Sequence, residues 1–190
     1  GFETTSTDQY SPNFPDGWST VDSYTGNNDR YRWNVYYYEK GTMTGTHCAS
    51  VDSPMFTGGE DGGEGPREEI LLTPELNLDN TYQLSFDWMA ASKAAIDEGK
   101  YDFQVRIVTD GNVEGAETIW SFNNATQLKE NGNVPYPWTG WVTYKTMIDL
   151  SKWQGKNIKV AFVYKMLKAT ANVLDIDNVV VKQFTPATGP

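Results

Sequence analysis

The sequence contains one cysteine and one histidine, and this shortage excludes several kinds of site. A single cysteine cannot close an internal disulfide, so we expect Cys48 to be a small buried residue. His47 precedes it directly, and neighbours on a strand point to opposite faces, which excludes a Cys–His catalytic pair there. A zinc site would have to take its remaining ligands from carboxylates.

Basic residues are also few, with 15 Lys and Arg against 25 Asp and Glu and a formal net charge of -10. Nucleic-acid binding depends on Lys and Arg neutralising phosphates, so we predict no nucleic-acid partner. No apolar run approaches the roughly 20 residues that span a bilayer, so we predict no membrane insertion by this domain. Clustered carboxylates are instead ligands for a hard cation such as calcium.

The chain keeps almost no helical periodicity, but several segments alternate apolar and polar residues as strands do. In 82–88 the residues Tyr82, Leu84, Phe86 and Trp88 share one face, and Gln83, Ser85 and Asp87 share the other. Similar runs predict strands at 103–107, 158–164 and 173–181. Turn signals separate them, at Asp110-Gly111, Asn131-Gly132, Gln154-Gly155 and a glycine-rich loop at 58–66. The one helical candidate, 90–95, is short.

An ordered set of segments covers nearly the whole chain. It comprises Phe2-Glu3, 14–22, 31–34, 45–50, 70–78, 84–86, Gly140-Trp141, 148–156, 160–162 and Leu174-Asp175-Ile176-Asp177-Asn178-Val179. The set resembles the cleaved-adhesin (gingipain haemagglutinin-type) domain family of bacterial surface proteins, and more distantly MAM domains and jelly-roll carbohydrate-binding modules. Two positions depart from the family: Arg67-Glu68-Glu69 stands where it often has a tryptophan, and Asp177-Asn178 where it has two aspartates.

The resemblance implies an all-β fold, a two-sheet antiparallel jelly-roll β-sandwich, in residues 1–184. It places the domain in a secreted or cell-surface multidomain protein, typically of Bacteroides-like bacteria. Residues 185–190 are rich in Pro and Gly and predict a linker leading toward a further domain.

Calcium is the cofactor that the resemblance implies. In this fold type the first and last strands run side by side, which would bring Glu3 close to Asp177. Two carboxylates that meet repel each other unless a cation lies between them, and Asp22 with carbonyls of the 22–29 loop would complete the shell. The alternative is that these acids face solvent or cap neighbouring amides.

Aromatic residues supply the predicted ligand site. Tyr136 and Trp138 lie in a turn-rich segment, and 36–38 is a run of three tyrosines that puts at least one ring on each strand face, with Tyr37 among the candidates. Exposed rings stack on sugar faces. The alternative assigns aromatic residues to the core, where we expect Trp18, Trp33, Trp88, Trp141 and Trp153.

We therefore predict a non-catalytic, calcium-stabilised adhesion module whose partner is a host or cell-surface protein or a glycan. The alternative is a carbohydrate-binding module of a secreted glycan-degrading enzyme. A glycoside hydrolase using two of the acids Glu60, Asp61, Glu64, Glu68 and Glu69 is less favoured, because acids in a glycine-rich loop are usually solvated and catalysis needs two carboxylates fixed on rigid strands.

Overall fold

A computed structural model describes residues 1–53, 66–91, 93–122, 143–168 and 171–188. Within these ranges there are twelve strands and one α-helix, Lys93–Asp97 (α1). The strands are Tyr10–Ser11 (β1), Ser19–Val21 (β2), Asn34–Tyr37 (β3), His47–Val51 (β4), Arg67–Leu72 (β5), Leu76–Asn77 (β6), Tyr82–Ala90 (β7), Tyr101–Thr109 (β8), Glu117–Ser121 (β9), Tyr144–Asp149 (β10), Asn157–Met166 (β11) and Leu174–Gln183 (β12). Short 3-10 helices occupy Asp29–Tyr31 and Ser151–Trp153.

The strands form two antiparallel sheets that pack face to face. The six-stranded sheet has the order β1-β3-β4-β12-β7-β10, and the second sheet has the order β2-β5-β11-β8-β9, with β6 also paired to β11. This arrangement is a jelly-roll β-sandwich and confirms the predicted fold class. All four predicted strands are present, as β7, β8, β11 and β12.

The core lies between the two sheets and is strongly aromatic. On β7, Leu84, Phe86 and Trp88 are fully buried, as the alternation predicts. Trp88 contacts Trp120 with ring centroids 5.5 Å apart, and Phe86 contacts Phe162 at 5.3 Å. Such edge-to-face contacts add to the stabilisation that burial of the rings provides.

The indole nitrogen of Trp88 is also satisfied, because Nε1 donates a hydrogen bond to Thr146 Oγ1 at 2.9 Å. Trp33 and Trp153 are buried as predicted, and Trp18 packs against the core while partly exposed. Cys48 is a free, buried thiol, as expected. Trp141 lies outside the described residues.

Two turn predictions are confirmed. Asp110 and Gly111 have φ of 54° and 70° after β8, and Gly155 has φ of 86° before β11. This left-handed region favours Gly and tolerates Asp. The helical prediction was displaced: Ala90 belongs to β7, where it pairs with Leu174, and α1 begins only at Lys93. No helix in the described part of the chain is long and apolar enough to cross a membrane.

The expectation that the first and last strands run side by side is wrong. β1 and β12 share a sheet, but β3 and β4 lie between them. The physical reason is that β1 pairs through Tyr10 and Ser11 with Tyr36 and Val35 of β3. Glu3 precedes β1, and its carboxylate accepts a hydrogen bond from the amide of His47, the first residue of β4.

Candidate functional site

The outward-facing side of the six-stranded sheet carries the candidate site, and we call it the outer face. Strand alternation builds it: Val35, Ala49 and Ile176 point into the core, so their strand neighbours point outward. The outward set includes Tyr10, Tyr36, Cys48, Ser50, Asp175, Asp177, Asp87, Met89, Lys145 and Met147.

Three tyrosines form a strip along the β1–β3 side of this face. Tyr10 pairs with Tyr36 across the strands, and their ring centroids are 5.6 Å apart with an interplanar angle of 33°. Tyr36 and Tyr38 are stacked, 6.5 Å apart and at 24°. Tyr38 is 37% exposed. The three rings are thus inclined in nearly one direction, and the strip ends in an accessible ring.

The phenol groups of Tyr10 and Tyr36 stay neutral. Burial raises the pKa of Tyr36 to about 12, and burial also raises the pKa of Tyr10. A neutral phenol can donate and accept a hydrogen bond at its tip while the ring offers apolar area. This combination suits the face of a sugar ring.

Carboxylates occupy the middle strands of the same face. Asp175 is 1% exposed, and burial raises its pKa to about 8. Burial raises the pKa of Asp177 as well, and the nearby Glu3 and Asp87 carboxylates raise it further. Asp87 is bound by Lys145 Nζ at 3.0 Å and by Asn178 Nδ2 at 2.8 Å.

The β10 side of the face carries exposed apolar groups. Met147 is 62% exposed and Val180 is 46% exposed. Both residues pair with Ser85, Met147 from β10 and Val180 from β12. A single row of the sheet therefore presents two apolar side chains to solvent with a small residue between them.

The predicted calcium ligands are only partly brought together. Glu3 and Asp177 are near enough for the charge of Glu3 to raise the pKa of Asp177. Burial acts to raise the pKa of Glu3, but hydrogen bonds from His47 and Thr46 outweigh it and lower the pKa. Each Glu3 oxygen accepts two bonds, Oε1 from the Thr46 and His47 amides and Oε2 from Thr46 Oγ1 and His47 Nδ1, at 3.0–3.2 Å.

Asp22 does not join that pair. Its Oδ2 accepts a hydrogen bond from Arg32 Nε at 2.7 Å, and its Oδ1 accepts the Tyr24 amide at 2.8 Å. The 22–29 loop is held by the same arginine, which donates to Asp29 Oδ1 and to the Gly26 carbonyl. Among the described residues, no group of three or more His, Cys, Asp and Glu is placed to hold a metal ion.

Asp22 also hydrogen bonds Glu69, and two carboxyl groups can do so only with a proton between them. Glu69 is buried, and its Oε1 accepts bonds from the Tyr24 amide at 2.8 Å and from Arg67. Burial raises the pKa of Glu69 to about 8, and its bond to Asp22 contributes. This proton therefore belongs to the folded structure at neutral pH.

The two described hydrolase candidates do not form a catalytic pair. Glu68 and Glu69 are adjacent on β5, so their side chains project to opposite faces of the sheet. Glu68 is held in a bidentate ion pair by Arg106, with both N···O distances 2.9 Å. Those hydrogen bonds lower the pKa of Glu68. Glu60, Asp61 and Glu64 lie outside the described residues.

The predicted aromatic ligands fall in different places. Tyr37 lies on the opposite side of β3 from Tyr36, with its ring 5.1 Å from His47, which confirms that the tyrosine run puts rings on both faces. Tyr136 and Trp138 lie outside the described residues. Sequence reasoning missed Tyr10, Tyr36 and Tyr38 as a set, although the spacing of two between Tyr36 and Tyr38 signals a shared face.

No protein-family model matches the sequence, and no curated protein matches it. Solved structures do match. The K1 cleaved adhesin domain of Lys-gingipain from Porphyromonas gingivalis W83 is 20% identical, with a TM-score of 0.57 over 90% of this chain and 94% of that domain. The K3 cleaved adhesin domain of the same protein is 17% identical, with a TM-score of 0.58 over 89% and 93%.

A carbohydrate-binding module, TmCBM61, solved in complex with β-1,4-galactotriose, also matches. It is 10% identical, with a TM-score of 0.53 over 89% of this chain and 90% of that module. At these identities the likenesses establish the fold, and they confirm at that level the resemblance to cleaved adhesin domains.

Proposed function

We propose that this chain is a non-catalytic binding module of an extracellular, multidomain protein, and that it attaches to a glycan through the tyrosine strip. The fold supports a module of this kind, because it is shared with adhesin domains and with a module solved on a galactose oligosaccharide. A fold hosts many functions, so the function depends on the residues of a particular site.

The observation that carries the proposal is the geometry of Tyr10, Tyr36 and Tyr38. Successive rings are 5.6 Å and 6.5 Å apart and tilt by only 33° and 24°. Near-parallel rings in a row offer apolar ring surface and phenol tips along the length of a short sugar chain. The two half-buried rings are held by the sheet, so little side-chain entropy is lost on binding.

A glycan array displaying neutral oligosaccharides, including β-1,4-galactotriose, tests the proposal. We expect selective binding by the parent protein and strong loss in Tyr38→Ala. Tyr37→Ala is the matched control, because Tyr37 is the next residue along the chain but points to the other side of β3. Equal loss in both variants would refute the strip as the site.

Adhesion to a protein is the second candidate, and the exposed Met147 and Val180 favour it. Exposed apolar side chains that share a sheet row form the kind of patch that partner proteins cover. Two results together would support protein adhesion in place of glycan binding. The parent protein would bind no glycan on the array, and it would bind a host surface protein in a way that Met147→Lys abolishes.

Calcium stabilisation of the module stays a proposal, centred on Glu3 and Asp177. Its support is the repulsion that Glu3 and Asp87 exert on Asp177, which a divalent ion would relieve. An ion that binds only the folded chain raises stability by about 2.7 kcal/mol at 100 times its dissociation constant.

Thermal melts with calcium and with a chelator check this proposal. We expect a higher melting temperature with calcium for the parent and no response in Asp177→Asn. A parent protein that melts identically in both conditions would leave Glu3 and Asp177 as ordinary hydrogen-bonded acids.

A further inference from the structure

A row of polar side chains crosses the middle of the outer face. Asn34 of β3 pairs with Ser50 of β4, and Ser50 pairs with Asp175 of β12. All three are buried, with 0%, 4% and 1% of their surface exposed. Buried polar atoms are normally hydrogen bonded, so any that are not call for a specific explanation.

Asn34 leaves its side-chain oxygen without a partner. The Nδ2 group lies 2.9–3.1 Å from three carbonyl oxygens, those of Asp29, Arg32 and Ser50. This environment fixes the orientation of the amide, because a flipped side chain would place its oxygen against three other acceptors. Oδ1 must therefore point away from these carbonyls, and it is buried with no hydrogen-bond donor.

Asp175 shows the same feature on the other side of Ser50. A side-chain hydrogen bond joins Ser50 and Asp175. Asp175 Oδ1 nevertheless has no hydrogen-bond partner. One row thus contains two buried, unpartnered oxygens with a hydroxyl group between them.

The spacing of the row suits a single bound ion. Neighbouring strands lie about 4.8 Å apart, so Asn34 and Asp175 leave the sheet about 10 Å apart, on either side of Ser50. An ion that contacts both oxygens holds them about 5 Å from each other, twice the oxygen distance of a calcium-sized ion. A common ion therefore requires the side chains of Asn34 and Asp175 to incline toward each other over the small Ser50.

The charge around the row favours a monovalent ion. Asp175 is the only carboxylate of the three residues, and nearby Asp52 is paired with Arg30 at 3.0 Å. Asp177 and Asp52 add negative potential at Asp175 without being members of the row. Burial raises the pKa of Asp175, but a cation beside the carboxyl favours its ionised form. A divalent ion usually takes several carboxylates, whereas one carboxylate with two neutral oxygens balances a single positive charge.

We propose that Asn34 Oδ1, Ser50 Oγ and Asp175 Oδ1 bind one monovalent cation of the size of sodium. The ion would supply the missing partner to both oxygens and would fasten β12 to β3 across β4. This site is separate from the tyrosine strip and from the Glu3–Asp177 pair. Its test therefore does not depend on whether the chain binds a glycan or calcium.

Thermal melts in sodium chloride and in tetramethylammonium chloride, at equal ionic strength and with a chelator for divalent ions, test the site. Tetramethylammonium is too large for the row. We expect the parent to melt several degrees higher in sodium, with the melting temperature rising as sodium is increased. Asp175→Asn and Ser50→Ala should lose this difference, and Asp177→Asn should keep it.

The broadening of the ²³Na resonance by the parent protein gives a second measurement, which needs no variant to fold. We expect broadening that added tetramethylammonium does not reverse and that lithium or potassium reduces by competition. Equal melting of the parent in both salts, or a sodium response that persists in a folded Asp175→Asn, would overturn the proposal. Absence of ²³Na broadening would do the same, and would assign the two oxygens to a bridging water.

Discussion

The proton shared by Glu69 and Asp22 makes the stability of this domain depend on pH in a direction that can be worked out. The pKa of Glu69 is raised from an ordinary 4.5 to about 8. Between these values the folded chain holds one proton more than the unfolded chain. The free energy of unfolding therefore falls as pH rises, by on the order of 1 kcal/mol for each pH unit.

Glu69→Gln removes this dependence while keeping the geometry. The amide oxygen can accept the bonds that Tyr24 and Arg67 donate to Glu69 Oε1, and the amide nitrogen can donate to Asp22. We expect the variant to match the parent near pH 5 and to exceed its stability at pH 8.5 by about 3–4 kcal/mol.

Urea titrations at half-unit intervals between pH 5 and 8.5 measure the difference between the two proteins. Glu68→Gln is the matched control, because its carboxyl is the adjacent one on β5 and Arg106 lowers its pKa. The control should lose stability by a constant amount across this range. The reasoning is wrong if Glu69→Gln shows the same slope as the parent, or if it is destabilised equally at every pH.

Two further predictions concern single groups in the fold. Gly45→Ala should cost more stability than Gly99→Ala in urea titrations, because both glycines have positive φ but only at Gly45 would the added Cβ overlap Glu3 Oε1; equal losses would contradict the packing at Glu3. Thr146→Val should cost about 1–3 kcal/mol, because it leaves the buried Nε1 of Trp88 without an acceptor; a neutral effect would show that the indole hydrogen bond is not needed.

Much of the fold could be predicted because its strands alternate cleanly. The pattern of Leu84, Phe86 and Trp88 against Ser85 and Asp87 specifies both the strand and its buried face, and it is what the structure shows. Which strands pair with each other is harder to predict from the sequence than where the strands lie. The two residues of β1 carry no sequence signal that predicts their pairing with β3. The first strand was therefore wrongly expected to lie beside the last strand.

The site was harder to predict for a related reason. A side chain's partner is set by strand order and register, which bring together residues far apart in the sequence. Asp22 could not be assigned to Arg32 and Glu69 without knowing that β2 lies against β5. The row of Asn34, Ser50 and Asp175 likewise exists only once β3, β4 and β12 are aligned.

The central claim, that the tyrosine strip binds a glycan, is tested most directly by calorimetric titration of the oligosaccharide that the array selects. We expect Tyr38→Ala to bind about tenfold more weakly than the parent, a loss of about 1.4 kcal/mol, because one stacking ring is removed. Tyr37→Ala should bind within about twofold of the parent, since that ring packs against His47 on the other side of β3. Unchanged affinity in Tyr38→Ala, or loss of affinity confined to Tyr37→Ala, would contradict the account.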